Sequence, residues 1–180
     1  MPRGALVSAA VLVFLSPLTL GAQDTPVPIE EAARSPESLA KALYGMVSFG
    51  PGPEPDWKMF RQVFLTDALL VVAPSRTQPM RPMDTDGFIQ DWRDFFRSAQ
   101  LAEKGFSEAI AAMEVTEFGG IAHAFGIFEP RVGGSEPTRT VRGLDSIEMA
   151  WDGTRWWIAS TTTDFEGPGK TIPDRIGRGG

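Results

Sequence analysis

This chain of 180 residues is short of several residue types on which protein chemistry often depends. It has no cysteine, which excludes a disulfide framework, thiol catalysis, thiolate metal ligands and a lipid-anchored lipoprotein start. Its single histidine, His123, argues against a transition-metal site, since such sites need clustered histidine, cysteine or carboxylate ligands. Serine catalysis would also depend on that one histidine, and no Gly-x-Ser-x-Gly motif occurs. We therefore expect neither a metal nor another cofactor.

A long apolar run occurs at only one place, the N-terminus. Residues 1–22 are typical of an export signal, with Arg3 as the positive start, an apolar stretch at 5–15 and a small-residue cleavage site at Gly21-Ala22. The apolar stretch is short for a membrane span and Pro17 interrupts it, so an uncleaved anchor is the second interpretation. The sequence predicts an exported protein, periplasmic or secreted, with no stable membrane span after cleavage.

The chain that remains after cleavage is long enough for one domain with a substantial core. Arg3 is the only charged residue that cleavage removes, so the net charge of −6 becomes −7. An acidic protein lacks the basic surface that nucleic-acid binding requires, and we expect no such partner. Five tryptophans and twelve phenylalanines predict a well-filled apolar interior.

Most of the elements predicted in the first half of this chain are helices. Residues 23–34 contain two prolines and are predicted to form an extended N-terminal segment. Ser35-Pro36-Glu37 provides a cap, a first-turn proline and an acid near the positive helix end, and the Gly-Pro run at 50–53 ends that helix. The predicted elements that follow are a short helix capped by Asp56, a buried strand at 68–72, a loop at 74–82 and a helix that starts at Asp84 or Thr85.

From Phe106 onward the pattern changes to strands. The predicted strands cover 106–117, 121–130, 140–151 and 154–165, and a Gly- and Pro-rich tail follows at 167–180. Helices first and an antiparallel meander afterwards predict an α+β domain over residues 35–166, with its helices on one face of the sheet.

The last two strands flank Asp152-Gly153, a dipeptide typical of two-residue hairpin turns. Such a turn would pair Met149 with Trp156, Ile147 with Ile158 and Asp145 with Ser160. One face of the hairpin would then be apolar near the turn and polar further away. This predicts either the wall of a pocket or a core face that fades toward solvent.

Three segments carry a resemblance to a known superfamily: residues 118–129, 142–147 and 152–158, the last strand closing in Asp164. Together with the order of elements, they resemble the SnoaL-like and nuclear-transport-factor-2-like superfamily. The resemblance implies a cystatin-like cone, in which a curved antiparallel sheet wraps around the N-terminal helices and encloses an apolar cavity. Members include ketosteroid isomerase, scytalone dehydratase, limonene epoxide hydrolase, polyketide cyclases and proteins that only bind, so the resemblance implies no single activity.

Three residues are candidates for chemistry. Tyr44 is the only tyrosine and lies on the first helix, where it either points into the cavity or is a core aromatic with its hydroxyl at the rim. Asp145 on an apolar face would have a raised pKa, which suits a general acid/base or a ligand contact. Alternatively, it lies at the solvent-exposed end of the cone and bonds to Ser160. His123 is predicted to pair with Thr116 and to point outward, toward a dimer contact rather than a catalytic site.

Our leading hypothesis is a module that binds a small, largely apolar molecule and forms a homodimer through its sheet. One alternative is an isomerase, cyclase or dehydratase of the ketosteroid-isomerase type, with Asp145 as general acid/base. A further alternative is a structural or dimerisation domain. The predicted pocket residues are Tyr44, Asp145, Ile147, Trp156, Ile158, Ser160 and Thr162.

Overall fold

The computed structural model describes residues 28–133 and 141–176. The predicted export signal at 1–22 lies outside these residues, as do residues 23–27 of the extended segment and residues 177–180 of the C-terminal tail. Within the described ranges, none of the helices has the length and apolar character needed to cross a membrane.

The five described helices are α1 (Ile29–Ala32), α2 (Pro36–Met46), α3 (Trp57–Arg61), α4 (Thr85–Ser98) and α5 (Leu101–Lys104). Three of them begin at the predicted side-chain caps. Ser35 accepts a hydrogen bond from the Ser38 amide at 3.2 Å at the start of α2, and Asp56 accepts from the first-turn amides of α3 at 3.0 Å. Asp84, rather than Thr85, caps α4 by accepting from the Gly87 amide at 2.7 Å. These caps satisfy amides that have no partner within the helix.

The short helix α1 corrects the prediction of an extended segment at 23–34, as far as that segment is described. Ile29, Ala32 and Ala33 are buried, and the Ala33 carbonyl accepts a hydrogen bond from the Trp156 amide at 2.9 Å. Apolar packing against the domain therefore orders residues whose local sequence favours no particular structure.

The six strands are β1 (Phe64–Val72), β2 (Arg81–Met83), β3 (Phe106–Phe118), β4 (Ile121–Val132), β5 (Gly143–Trp151) and β6 (Trp156–Phe165). They form one curved sheet in the order β2-β1-β6-β5-β4-β3. β1 and β6 are parallel and the other neighbours are antiparallel. The α+β prediction is confirmed. β2 corrects the prediction that residues 74–82 are entirely loop, because its residues 81–83 pair with the end of β1.

The two long hairpins differ in how well their sequence predicts their register. In β3–β4 the Gly119-Gly120 turn pairs Thr116 with His123, as predicted. In β5–β6 the predicted register is wrong: Trp151 pairs with Trp156, Met149 with Ile158 and Asp145 with Thr163.

Two local features cause this difference. The connection is a four-residue loop, in which the Asp152 amide donates to the Arg155 carbonyl at 3.2 Å. In addition, a bulge between the pairs of Glu148 and Met149 places one extra residue in β6. The loop shifts the register by two residues and leaves the faces unchanged, whereas the bulge turns Thr161 and Thr163 to the face that carries Asp145.

The core lies between the concave side of the sheet and the helices. Its fully buried large side chains are Phe60, Phe128, Leu39, Leu70, Ile89, Leu101, Ile147, Ile158 and Val63. α2 packs across β3 and β4, and α4 packs on β1. This arrangement leaves one end of the concave face open beside α2 and α4.

Candidate functional site

A cavity of about 660 Å³ opens at this end of the cone. Its walls come from α2, α3, α4 and the concave face of the sheet, and they are largely apolar. The helix predicted to line the cavity is α2, which contributes Leu43 and Tyr44, and Val47 follows at its end. The aromatic part of the wall includes Phe60, Phe64, Phe88, Trp92, Phe106 and Phe128. A space of this size and composition is typical of sites for small molecules.

Tyr44 places a buried hydroxyl in this cavity. The side chain lies on α2 and crosses to the sheet at Gly126, where an added Cβ would lie 2.0 Å from Oη. The residue is only 2% exposed, and among the described residues Oη has no hydrogen-bond partner. Asp145 lies nearby and interacts with it electrostatically. Burial, followed by the nearby charges of Asp145 and Glu108, raises the pKa of Tyr44 well above its usual range.

Asp145 lies beside this hydroxyl on β5, directly opposite Gly126. It is 7% exposed, and its Oδ1 accepts a hydrogen bond from Thr163 Oγ1 at 2.6 Å. Burial raises the pKa of Asp145 to about 6, while the hydroxyls of Thr163 and Tyr44 act in the opposite direction. The structure therefore brings together two of the predicted site residues, Tyr44 and Asp145.

Glu108 is a third acidic group at this site, and sequence reasoning missed it. Burial, and secondarily the charge of Asp145, raise the pKa of Glu108 to about 8. Simple alternation from Met113 along β3 would turn Glu108 outward. A bulge between Ile110 and Ala112 reverses the alternation, so that Glu108 lines the cavity together with Phe106. A glutamate among apolar residues near the start of the strand was the only available signal.

The remaining predicted pocket residues lie elsewhere. Ile147, Trp156 and Ile158 are buried in the core and are not part of the cavity lining. Ser160 and Thr162 pair with Glu148 and Ser146 on the opposite face of the sheet, as the corrected register requires.

Thr161 and Thr163 occupy the places that the sequence assigned to these two residues. The predicted change from apolar to polar along one face is real, but different residues produce it.

The charged side chains at the mouth of the cavity form ion pairs with one another or with neighbouring residues. Arg81 on β2 donates from Nη2 to Asp91 Oδ2 at 3.1 Å, and Asp94 pairs with Arg97 on the same helix. The Nε of Arg81 is buried and has no hydrogen-bond partner among the described residues. No group of three or more metal-ligating side chains is found in the described part of the chain.

His123 lies outside the cavity. It is on the convex face, where Nε2 shares a hydrogen bond of 2.9 Å with Ser146 Oγ and lies 3.8 Å from Glu148 Oε1. Its ring packs edge-on against Phe125 at 4.3 Å between centroids. The predicted pairing of His123 with Thr116 is confirmed. Its bond to Ser146, which lies on the face opposite Asp145, shows that the ring points outward.

Comparisons with known proteins concern the fold. A cystatin-like protein of unknown function from Nostoc punctiforme has a TM-score of 0.54 at 7% identity, over 74% of this chain and 95% of that one. A putative Ca/calmodulin-dependent kinase II association domain from Exiguobacterium sibiricum has a TM-score of 0.51 at 12% identity, over 73% and 91%. An NTF2-like protein of unknown function from Silicibacter pomeroyi has a TM-score of 0.49 at 20% identity, over 72% and 92%.

No protein-family model and no curated protein matches the sequence. The likeness to the protein from Nostoc punctiforme, which has a cystatin-like fold, confirms the fold that the resemblance implied. At this identity the likeness shows the fold alone.

Proposed function

We propose that this protein, which has the cystatin-like cone fold of NTF2-like proteins, binds a small and largely apolar molecule in the cavity of the cone. The observation that supports this proposal is the cavity of about 660 Å³, which has apolar walls and a few convergent polar groups. A purely structural domain would be expected to fill this space with its own side chains.

The polar groups explain how such a ligand would be oriented. Tyr44 Oη is buried without a partner among the described residues, and an unpaired buried hydroxyl costs about 1–3 kcal/mol. A ligand that supplies the missing hydrogen bond would recover part of that cost, and its apolar body would be buried against the aromatic walls. Polar selectivity would come from Tyr44, Asp145 and Glu108 in place of Ser160 and Thr162.

The proposal is tested by filling the cavity. Val72 lines it, whereas its neighbour Val71 pairs with Thr162 on the other face of the sheet. In Val72→Phe the added ring would occupy ligand space, and we expect at least a tenfold loss of affinity for apolar molecules that raise the Tm of the wild-type protein. Val71→Phe is the matched control and should retain wild-type affinity. Equal affinity in both variants would place binding outside the cavity.

Native mass spectrometry of protein purified from its own host supplies candidate ligands for this test. It would report co-purifying small molecules, the oligomeric state and the mature N-terminus together. We further propose that the protein is exported, on the basis of residues 1–22, and cleavage before Gln23 is the expected result. An intact N-terminus at Met1 would contradict the proposed cleavage.

A second candidate function is an isomerase, cyclase or dehydratase of the ketosteroid-isomerase type. The observation that favours it is the position of the Tyr44 hydroxyl beside Asp145, whose pKa of about 6 suits a general acid/base near neutral pH. Asp145→Asn should then abolish turnover of an enolisable ketone, whereas a binding protein with this substitution would still bind. The absence of turnover by the wild-type protein across such ketones would count against this candidate.

We also propose that the protein forms a homodimer through the convex face of its sheet. This face exposes apolar side chains on three strands, including Phe118 at 83%, Ile121 at 64% and Leu69 at 50%. Sedimentation equilibrium should show a dimer that Ile121→Asp weakens. A monomer at micromolar concentration would contradict this proposal.

A further inference from the structure

The cavity differs from its surroundings in the balance of its charges. At the mouth, Asp91 and Asp94 are each paired with an arginine. In the interior, Glu108 and Asp145 line the same space, and no ion pair joins either of them to a basic side chain of the described residues. Two carboxyl groups in an apolar space are costly unless something compensates their charge.

Tyr44 supplies a third oxygen-bearing group at this place. Its hydroxyl is directed into the same space from the opposite wall, is almost fully buried and has no hydrogen-bond partner among the described residues. Gly126 has no side chain, and it therefore leaves room for that hydroxyl. Three oxygen-bearing groups therefore converge from α2, β3 and β5 on one apolar space.

We propose that the ligand is a cationic organic amine, whose ammonium group lies among Glu108, Asp145 and Tyr44 while its apolar body fills the aromatic part of the cavity. This inference rests on the proposed binding function and specifies its ligand class. A primary ammonium group has three N–H donors, which matches the three oxygen-bearing groups. Hydrogen bonds from an ammonium to a carboxylate are also stronger than those between neutral groups.

Every titratable group that faces Glu108 bears on the pH dependence of this site. Tyr44 approaches from α2 and Asp145 from β5, while Arg81 on β2 and Asp91 and Asp94 on α4 line the mouth. β6 contributes Thr161 and Thr163, which do not titrate in the usual range. Since the pKa of Glu108 is raised to about 8, binding of a cation should release a proton from this carboxyl at neutral pH.

Because of this proton release, the proposal predicts the direction in which the affinity changes with pH. An alkylamine resembles the lysine side chain and remains protonated below about pH 9. Its affinity should therefore rise between pH 6 and pH 8, as Glu108 ionises. The ketosteroid-isomerase alternative predicts the opposite sign for an oxyanion ligand, because protonated acids would have to donate hydrogen bonds to it.

The experiment compares three probes that share one apolar body: 1-adamantylamine, 1-adamantanol and adamantane-1-carboxylate. Isothermal titration calorimetry at pH 6 and pH 8 should rank the amine first. Its affinity should increase by about tenfold or more over this interval, with a proton release that is detected by comparing two buffers. The alcohol should show no such dependence on pH, and the carboxylate should bind most weakly.

Two substitutions connect the effect to the site. Glu108→Gln preserves the size of the side chain and should remove most of the pH dependence together with at least a tenfold share of the affinity for the amine. Glu114 lies on the outer face of the same strand, and Glu114→Gln serves as the matched control. Asp145→Asn is the second variant if Glu108→Gln does not fold, which circular dichroism would show.

The outcomes distinguish this inference from the function on which it rests. If the alcohol binds as tightly as the amine, or if Glu108→Gln and Asp145→Asn both leave amine affinity unchanged, the amine inference is wrong while cavity binding stands. If no adamantyl probe binds but other apolar molecules bind in a manner sensitive to Val72→Phe, the inference is again wrong. If no molecule shows that sensitivity, the proposed function itself fails.

Discussion

Two aspartates at opposite ends of the β5–β6 hairpin have opposite environments. Asp152, at the exposed connection, accepts hydrogen bonds from the Thr154 amide at 2.7 Å, the Arg155 amide at 2.9 Å and the Trp157 indole at 2.6 Å. The Thr154 hydroxyl and these donors hold its pKa well below the usual range. Asp145, at the cavity, is buried with one hydroxyl donor, Thr163, and its pKa is raised.

The comparison separates a carboxylate that builds the fold from one that is available for function. The protein itself supplies the donors that Asp152 needs, so that side chain shapes the connection and has little left to offer a ligand. Asp145 lies in an apolar space with fewer donors than a carboxylate can accept. We infer that the number of unused hydrogen-bonding positions, together with burial, is what marks the cavity end of the hairpin as the site.

The largest expected difference between the two ends is in the dependence of stability on pH. A carboxyl whose pKa is raised in the folded state binds a proton that the unfolded chain has already released. The free energy of unfolding therefore falls as pH rises from the unfolded to the folded pKa, by about 1.4 kcal/mol per pH unit for each such group. For Glu108 this interval extends to about pH 8, and for Asp145 to about pH 6.

Urea unfolding at pH 5, 6, 7 and 8 measures this effect, and we expect the wild-type protein to lose several kcal/mol over that range. Glu108→Gln should remove most of the slope above pH 6. Asp145→Asn should remove only its own share of the slope below pH 6, where both carboxyl groups contribute. Asp152→Asn should leave the slope unchanged, because a carboxylate with a lowered pKa is ionised in both states above pH 5. If Asp152→Asn reduced the slope as much as Asp145→Asn does, the two aspartates would not differ in the way proposed.

A smaller effect on stability is expected from the close approach of the Tyr44 hydroxyl to Gly126 at the cavity end. An added Cβ at Gly126 would lie 2.0 Å from Tyr44 Oη and 3.0 Å from its Cζ. Gly126→Ala should therefore cost about 1–3 kcal/mol of unfolding free energy, which is typical of overpacking. In a Tyr44→Phe background the hydroxyl is absent, and the cost should be smaller.

Denaturant unfolding of the four proteins in this double-mutant cycle measures the coupling between the two positions. Gly45→Ala is the control, since an added Cβ there meets nothing within 4 Å and alanine favours the helix by up to about 1 kcal/mol. If Gly126→Ala has the same cost with and without the Tyr44 hydroxyl, that hydroxyl is not held against the sheet.

Some of this structure could be predicted because it depends on neighbours in the sequence. Helix caps at Ser35, Asp56 and Asp84 are local hydrogen bonds between a side chain and the amides that follow it. The tight Gly119-Gly120 turn likewise determines the β3–β4 register nearby, including the outward position of His123. The sequence also offered the cavity as one of two positions for Tyr44 and for Asp145.

Other features required the tertiary structure. The sequence alone determined the starts of α2, α3 and α4, the approximate spans of β3 to β6 and the apolar-to-polar change along one face, since each depends on local propensity and alternation. Only long-range packing decided that β1 runs parallel to β6, and that bulges in β3 and β6 turn Glu108, Thr161 and Thr163 toward the cavity. A bulge reverses every side chain beyond it without any change in composition, so the polar members of the site depend on tertiary contacts that strand periodicity does not contain.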